Sequence, residues 1–158
     1  MSFTPATKTS PFFTKHLDDM LAKGDAPLEI AFTAQFLSAL VGFDFETLKQ
    51  VSEKLTEEVN EFQEEIVRTK GKADMKMIEE LSDVIFSWVN VCRHIGVKPE
   101  KLTLATVAKY NARCAYIEKR LQETNRVWQD LDQKGIIELW KEAKKLDIGK
   151  KEFEKFLA

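Results

Sequence analysis

Between residues 46 and 69 the chain places Leu48, Val51, Leu55, Val59, Phe62 and Ile66 at helical spacing, with polar residues between them. This pattern predicts a long amphipathic helix, which the stretch "KGKAD" then breaks. A second run, 75–94, carries Met77, Leu81, Val84, Ile85, Trp88 and Cys92, continued by Ile95, on an apolar face wide enough to touch more than one neighbour. Gly96 and Pro99 separate it from a third run, about 100–126, whose stripe is Val107, Tyr110, Cys114, Ile117 and Leu121. Upstream, 28–40 is almost continuously apolar and closes at Gly42, a helix-stop residue. Downstream, 134–145 predicts a further helix that follows Gly135 or starts just before it. Residues 1–27 hold Pro5, Pro11 and Pro27 with no sustained period, so they predict an arm with a short helix near 13–22. Alternating strand patterns and repeats are missing, and the expected fold is an all-α bundle of four to five helices, with 28–158 as one domain.

Composition narrows the picture. The chain has 158 residues, of which 44% are apolar and 32% charged, with six glycines and four prolines, as suits a soluble helical domain. A net charge of −2 offers no basic footprint for nucleic acid. The most apolar window, "IAFTAQFLSALVGFDF", is interrupted by Thr33, Gln35 and Ser38 and ends at Asp44, short of the roughly 20 apolar residues of a membrane span. No secretory signal is visible at the N-terminus, and Cys92 and Cys114 fall on apolar faces without metal-ligand spacing. The expectation is a cytoplasmic protein with reduced core thiols and neither a membrane nor a nucleic-acid partner.

The stretch "KLTEEVNEFQEEI" crowds Glu57, Glu58, Glu61, Glu64 and Glu65 onto one helix. Like charges three or four residues apart cost roughly 0.2–0.5 kcal/mol each, so an offset is required. On an ideal helix Glu58 lies about 55° from the centre of the apolar face, with Glu61, Glu65 and Lys54 on the same shoulder, while Glu53 and Glu64 face solvent. The following helix sets Glu80 and Asp83 one turn apart beside its own apolar edge. If the two helices pack antiparallel, Glu58 and Glu61 confront Glu80 and Asp83. Carboxylates gathered at such a seam take up protons or bind cations, and an all-oxygen set suits Mg²⁺ or Mn²⁺. A di-iron bundle needs Glu-x-x-His, and neither His16 nor His94 follows a Glu at that spacing. The residues alone leave a metal site and a solvated acidic face both open.

The segments "AQFLSALVGFDFETLKQVSEKLTEEVNEFQEE", "EELSDVIF", "KYNARCAYIEKRL" and "IIELWKEAKK", spanning 34–145 in order, resemble the C-terminal domain of MazG, in the all-α nucleotide pyrophosphohydrolase superfamily. The resemblance implies Mg²⁺-dependent hydrolysis of nucleoside triphosphates to monophosphate and pyrophosphate, a reaction of nucleotide-pool house-cleaning. It assigns the metal ligands to Glu58, Glu61, Glu80 and Asp83, phosphate contacts to Lys109 and Arg113, and a Trp and Lys of the substrate site to Trp140 and Lys144. Lys54, Lys76, Glu57 and Glu79 border the acids, as candidates for holding water or phosphate or as partners that support the ligands. Glu57 is the candidate for orienting or deprotonating the attacking water, and Glu64 and Glu65 are read as peripheral. Trp140 stacks on a base or belongs to the core. The sequence departs from the family's pattern at Ser82, in place of a common Gly, and at Cys114, in place of a common aromatic.

Three functions therefore stand side by side. They are a general nucleoside triphosphate pyrophosphohydrolase, a narrower enzyme for dUTP, dCTP or a modified nucleotide, and a non-catalytic helical interaction module. The complete set of acids speaks against the last. The wide face of 75–94, together with the dimers of the family, gives the expectation of a homodimer or higher homo-oligomer.

Overall fold

The computed structural model describes residues 12–158, with side chains from residue 14 onward. The chain is all-α: seven helices and one short 3₁₀ turn are present among the described residues, and no strand. None of these helices is long and apolar enough to cross a membrane. The chain divides into two compact units, Met1–Pro99 and Glu100–Ala158.

The first unit contains α1 (Phe12–Lys23), α2 (Pro27–Leu40), α3 (Leu48–Thr69) and α4 (Met75–His94). The helix expected near 13–22 is α1, and the part of the arm before residue 12 lies outside the described residues. Pro27 opens α2 at a position where its missing N–H costs nothing. Helix α3 starts at a reciprocal cap, in which the Thr47 hydroxyl accepts from the Gln50 amide and the Gln50 side chain accepts from the Thr47 amide. It ends at Lys70, which is left-handed at φ 52°, followed by Gly71 at φ 77°. Asp74 caps α4 by accepting from the Met77 amide. The five-residue link 70–74 folds α4 back on α3, and these two helices form the main packing of the unit. Val51 from α3, Met77, Val89 and Cys92 from α4 and Leu37 from α2 are buried there.

The second unit contains α5 (Pro99–Glu123, whose first residue belongs to the first unit), α6 (Gln133–Lys145) and α7 (Lys150–Leu157). Helix α5 stops three residues short of the expected boundary, because Asn125 adopts a left-handed φ of 54°. Asp132 caps α6 by accepting from the Gly135 amide, so that helix starts two residues ahead of Gly135. Ala105, Ile117, Leu121 and Ala143 are buried, whereas Val107 and Tyr110 of the predicted stripe are 57% and 59% exposed. Helix α7 has no counterpart among the expected elements. Gly149 precedes it with φ 86°, and a Cβ there would stand 2.6 Å from the Lys109 carbonyl oxygen, so only glycine admits this approach of chain to helix.

Candidate metal and nucleotide site

The antiparallel α3–α4 pair is visible in its charges as well as in its core. Near the connecting loop, Lys76 of α4 meets Glu65 of α3 with Nζ to Oε1 at 2.9 Å. Farther along, Glu58 and Glu61 of α3 meet Glu80 of α4, with one carboxylate oxygen of each within 4.8 Å of the others. Glu58 is only 5% exposed. The carboxyl of Glu61 is held above the usual carboxylate range by loss of water around it and then by the charges of Glu58 and Glu80. Together the three carboxylates form an all-oxygen donor set, whose chemistry fits a hard divalent cation.

Asp83 stands one turn after Glu80, exposed and outside the close cluster of three. It shares a cavity wall with Glu58 and Lys54, however, in a cavity of about 280 Å³ that lies wholly in the first unit. Lys54 supplies the nearest positive charge, with Nζ 2.7 Å from Glu58 and 2.8 Å from Glu57. Hydrogen bonds to Glu57 and then Glu58 raise the proton affinity of this amine well above that of a free lysine.

Two neighbouring residues have partners that a single helix does not show. Glu65, read as peripheral, is 5% exposed and ion-paired to both Lys76 and Arg68, and Arg68 also pairs with Asp74. Its position on α3 alone suggests a shoulder open to water, but α4 brings Lys76 over it. The cation of Lys76, read as a contact for substrate, is thereby engaged with Glu65.

In the second unit, Arg113 and Trp140 come together, with the guanidinium carbon 5.4 Å from the indole centroid. Arg113 also donates from Nε to the Ile148 carbonyl at 3.1 Å, and Tyr110 lies 5.3 Å from the Trp140 ring between centroids. The Trp140 ring is thus engaged by neighbours of its own unit. Lys109 places Nζ 4.5 Å from the centroid of Phe153, while Lys144, one turn beyond Trp140, is exposed.

Several residues around the cavity are not among the site residues expected from the sequence. Gln35, Asn90, Arg93 and Asp44 line it together with Phe43, Phe45 and Phe86. The one available signal was Gln35 itself, an amide in an otherwise apolar helix, which the periodicity registers only as an interruption.

The all-α fold with a carboxylate cluster on a helical hairpin defines a candidate divalent-cation-binding helical domain, and comparison with known proteins gives it a family. Residues 46–117 match the MazG nucleotide pyrophosphohydrolase domain, and the chain carries a domain of that family. It is 31% identical over 110 residues to the nucleoside triphosphate pyrophosphohydrolase of Escherichia coli K12, covering 70% of this chain and 41% of that protein. It is 30% identical over 117 residues to the nucleoside triphosphate pyrophosphohydrolase/pyrophosphatase MazG of Thermotoga maritima, covering 74% of this chain and 44% of that one. A shorter match, 32% over 68 residues, is to YabN of Bacillus subtilis and covers 43% of this chain and 14% of YabN. The chain therefore spans less than half the length of the relatives it matches.

Proposed function

We propose that this protein hydrolyses nucleoside triphosphates to the monophosphate and pyrophosphate with Mg²⁺, or Mn²⁺, as the cofactor. The observation that carries the reading is the carboxylate cluster of Glu58, Glu61 and Glu80 beside a cavity, within a span that matches the MazG domain. Glu58, Glu61 and Glu80 would hold the metal, with Asp83 as a fourth oxygen donor from the same cavity wall. A divalent cation there supplies a more acidic bound water and neutralises charge on the phosphates. Glu57, tethered to Lys54 and one residue before the ligand Glu58, is the group proposed to orient the water and accept its proton.

Lys54 neutralises Glu58 in the metal-free protein and is free to turn to a phosphate oxygen when a cation takes its place. On the second unit, Lys109, Arg113 and Lys144 are proposed phosphate contacts. Arg113 is the strongest of the three, because its planar fork suits phosphate oxygens and Trp140 fixes its orientation. Positioning and electrostatic stabilisation of this kind dominate phosphoryl chemistry.

The protein is further proposed to act as a homo-oligomer. Ile78, Leu81 and Ile85 form a stripe on α4 at 52%, 43% and 50% exposure, and this spacing is what a second copy could cover.

The deciding assay incubates the purified protein with a panel of standard and modified nucleoside triphosphates and Mg²⁺ and measures the products. Monophosphate with pyrophosphate is the expected outcome. Orthophosphate with diphosphate would move the attack to the terminal phosphorus. No turnover and no metal-dependent nucleotide binding would end the enzymatic reading in favour of an interaction module.

A further inference from the structure

Beside the carboxylates, the cavity of the first unit carries chemistry that metal and phosphate binding leave unused. Lys54, Glu58 and Asp83 line it together with Gln35, Asn90 and the rings of Phe43, Phe45 and Phe86. The two amides are fixed in orientation by their neighbours. Gln35 Nε2 donates to the Phe86 carbonyl at 2.6 Å, and because a carbonyl only accepts, the amide cannot be reversed. This leaves Gln35 Oε1 buried with no hydrogen-bond partner, in a residue only 7% exposed. Asn90 Oδ1 accepts from Arg93 Nε at 3.1 Å and Nη2 at 2.9 Å, and a guanidinium only donates, so Nδ2 is what Asn90 has left to offer. Arg93 is itself held by Asp44.

A buried acceptor without a partner is rare in a folded protein and calls for an explanation, such as a ligand or an ordered water. Here it borders a cavity lined by aromatic rings and by two of the proposed metal ligands, Glu58 and Asp83. The volume of about 280 Å³ lies at the lower edge of the roughly 300–1,000 Å³ of small-molecule pockets, which suits one part of a nucleotide. Flat rings suit the phenylalanines, and an edge with an N–H beside an acceptor suits Gln35 and Asn90.

We propose that this cavity receives the base of the substrate nucleotide, with Gln35 Oε1 accepting from a base N–H and Asn90 Nδ2 donating to the adjacent acceptor. The inference rests on the nucleotide-hydrolysing function proposed above and names the group that selects the substrate. The base is then read by two amides of the first unit and not by stacking on Trp140. Nucleotides whose base N–H is replaced by a methyl group or by hydrogen leave the Gln35 oxygen unpaired and are rejected. Every standard base has such an edge, so the amides test its presence, and the aromatic walls set the size.

The experiment uses the full chain with Mg²⁺ and compares the best nucleoside triphosphate substrate with an analogue of it lacking the N–H donor. In the unaltered protein kcat/KM for the analogue is expected to fall about a hundredfold or more, the behaviour of a site built around a hydrogen bond. Gln35→Met keeps the side-chain length but has neither amide group. It should raise KM for the parent nucleotide about tenfold with little change in kcat, and shrink the discrimination against the analogue to a few-fold, since the lost hydrogen bond no longer distinguishes the two. Affinity for inorganic tripolyphosphate, which has no base, should not move.

Asn90→Leu, which removes the donating amide of the pair, gives the same comparison if Gln35→Met does not fold. Equal turnover of parent and analogue by the unaltered protein, or full discrimination retained in folded Gln35→Met, overturns the inference, as it would if a water satisfies Gln35. In either case the hydrolytic function stands. Failure of every nucleotide to bind or turn over is a different result, and it removes the hydrolytic function together with this inference.

Discussion

Lys54 reaches two glutamates at once, 2.7 Å from Glu58 and 2.8 Å from Glu57, and so carries the compensating charge of a carboxylate that is 5% exposed. The crowding of glutamates on α3 is therefore offset locally before any cation binds.

Removing that amine should expose the offset. Lys54→Met is expected to destabilise the metal-free protein by about 1–2 kcal/mol. This is less than for a fully buried pair, because 36% of the Lys54 side chain faces water. Millimolar Mg²⁺ should close most of the gap, since a cation at Glu58 replaces the missing charge. Thermal denaturation of both proteins with and without Mg²⁺ reads the effect. For the unaltered protein, ligand at a hundred times its Kd adds about 2.7 kcal/mol of stability. An unchanged Tm on adding Mg²⁺ would remove the metal from this site.

Glu61 tests the same cluster from the opposite side. Its proton affinity is raised in the folded protein by burial and by Glu58 and Glu80. The stability that its protonation contributes is present below its unfolded value, near 4.5, and is lost as pH rises through the higher folded value. Glu61→Gln should therefore be more stable than the parent at neutral pH without metal, while losing turnover and the stabilisation by Mg²⁺. Denaturation from pH 4 to pH 8 in chelator, paired with the pyrophosphate assay, separates the two effects. A variant less stable than the parent throughout would mean that the three carboxylates do not repel one another.

Glu65 gives the reverse pH dependence at the other end of the hairpin. Hydrogen bonds from Lys76 and then Arg68 outweigh burial and hold its carboxyl below the ordinary value. Depressed in this way, the group contributes stability above about pH 4.5 that is lost as pH falls through its folded value. Lys76→Met should lower the urea midpoint at pH 7, and the difference from the parent should narrow on acidification. If Lys76→Met instead raises KM without altering the midpoint, the lysine serves the substrate after all.

The parts of this protein that were legible in its sequence are those governed by one helix at a time. The apolar rows of 46–69 and 75–94 and the break at "KGKAD" predict α3 and α4 to within about two residues. The pairing of Glu58 and Glu61 with Glu80 then follows from folding one helix back on the other. Features that depend on what a neighbouring helix brings were hidden. Glu65 looked peripheral because its cover comes from Lys76, and Gln35 looked like a blemish in an apolar run because its partner is a backbone carbonyl of α4. Helix α7 was missed because eight residues with only Phe153, Phe156 and Leu157 as apolar positions carry little periodic signal.

Gly149 was silent for a similar reason, since its demand arises from Lys109, forty residues earlier in the chain. Gly149→Ala adds a Cβ at 2.6 Å from a backbone oxygen and at φ 86°, a conformation that an L residue rarely adopts. A loss of about 1–3 kcal/mol is expected, from strain with no compensating contact. A chemical denaturation curve measures it. Because the displaced backbone is that of Lys109, a second consequence is expected in KM for the nucleotide, if Lys109 contacts phosphate. A variant with unaltered stability would show that the close approach relaxes at little cost.

The exposed row on α4 bears on assembly. Ile78, Leu81 and Ile85 are spaced three and four residues apart and are each about half open to water, at 52%, 43% and 50%. Covering half a large aliphatic side chain is worth about 1 kcal/mol, and a two-fold interface buries each residue twice. Leu81→Asp therefore costs a dimer at least about 2 kcal/mol, or roughly thirtyfold in its dissociation constant. Light scattering across a concentration series should find the parent protein above monomer mass and Leu81→Asp shifted toward the monomer, with helical content unchanged by circular dichroism. Since Leu81 adjoins the proposed ligand Glu80, turnover should be measured at concentrations where both proteins are fully associated. Activity that recovers on association assigns the defect to assembly, and a parent protein that is monomeric at every concentration assigns the apolar row some other role.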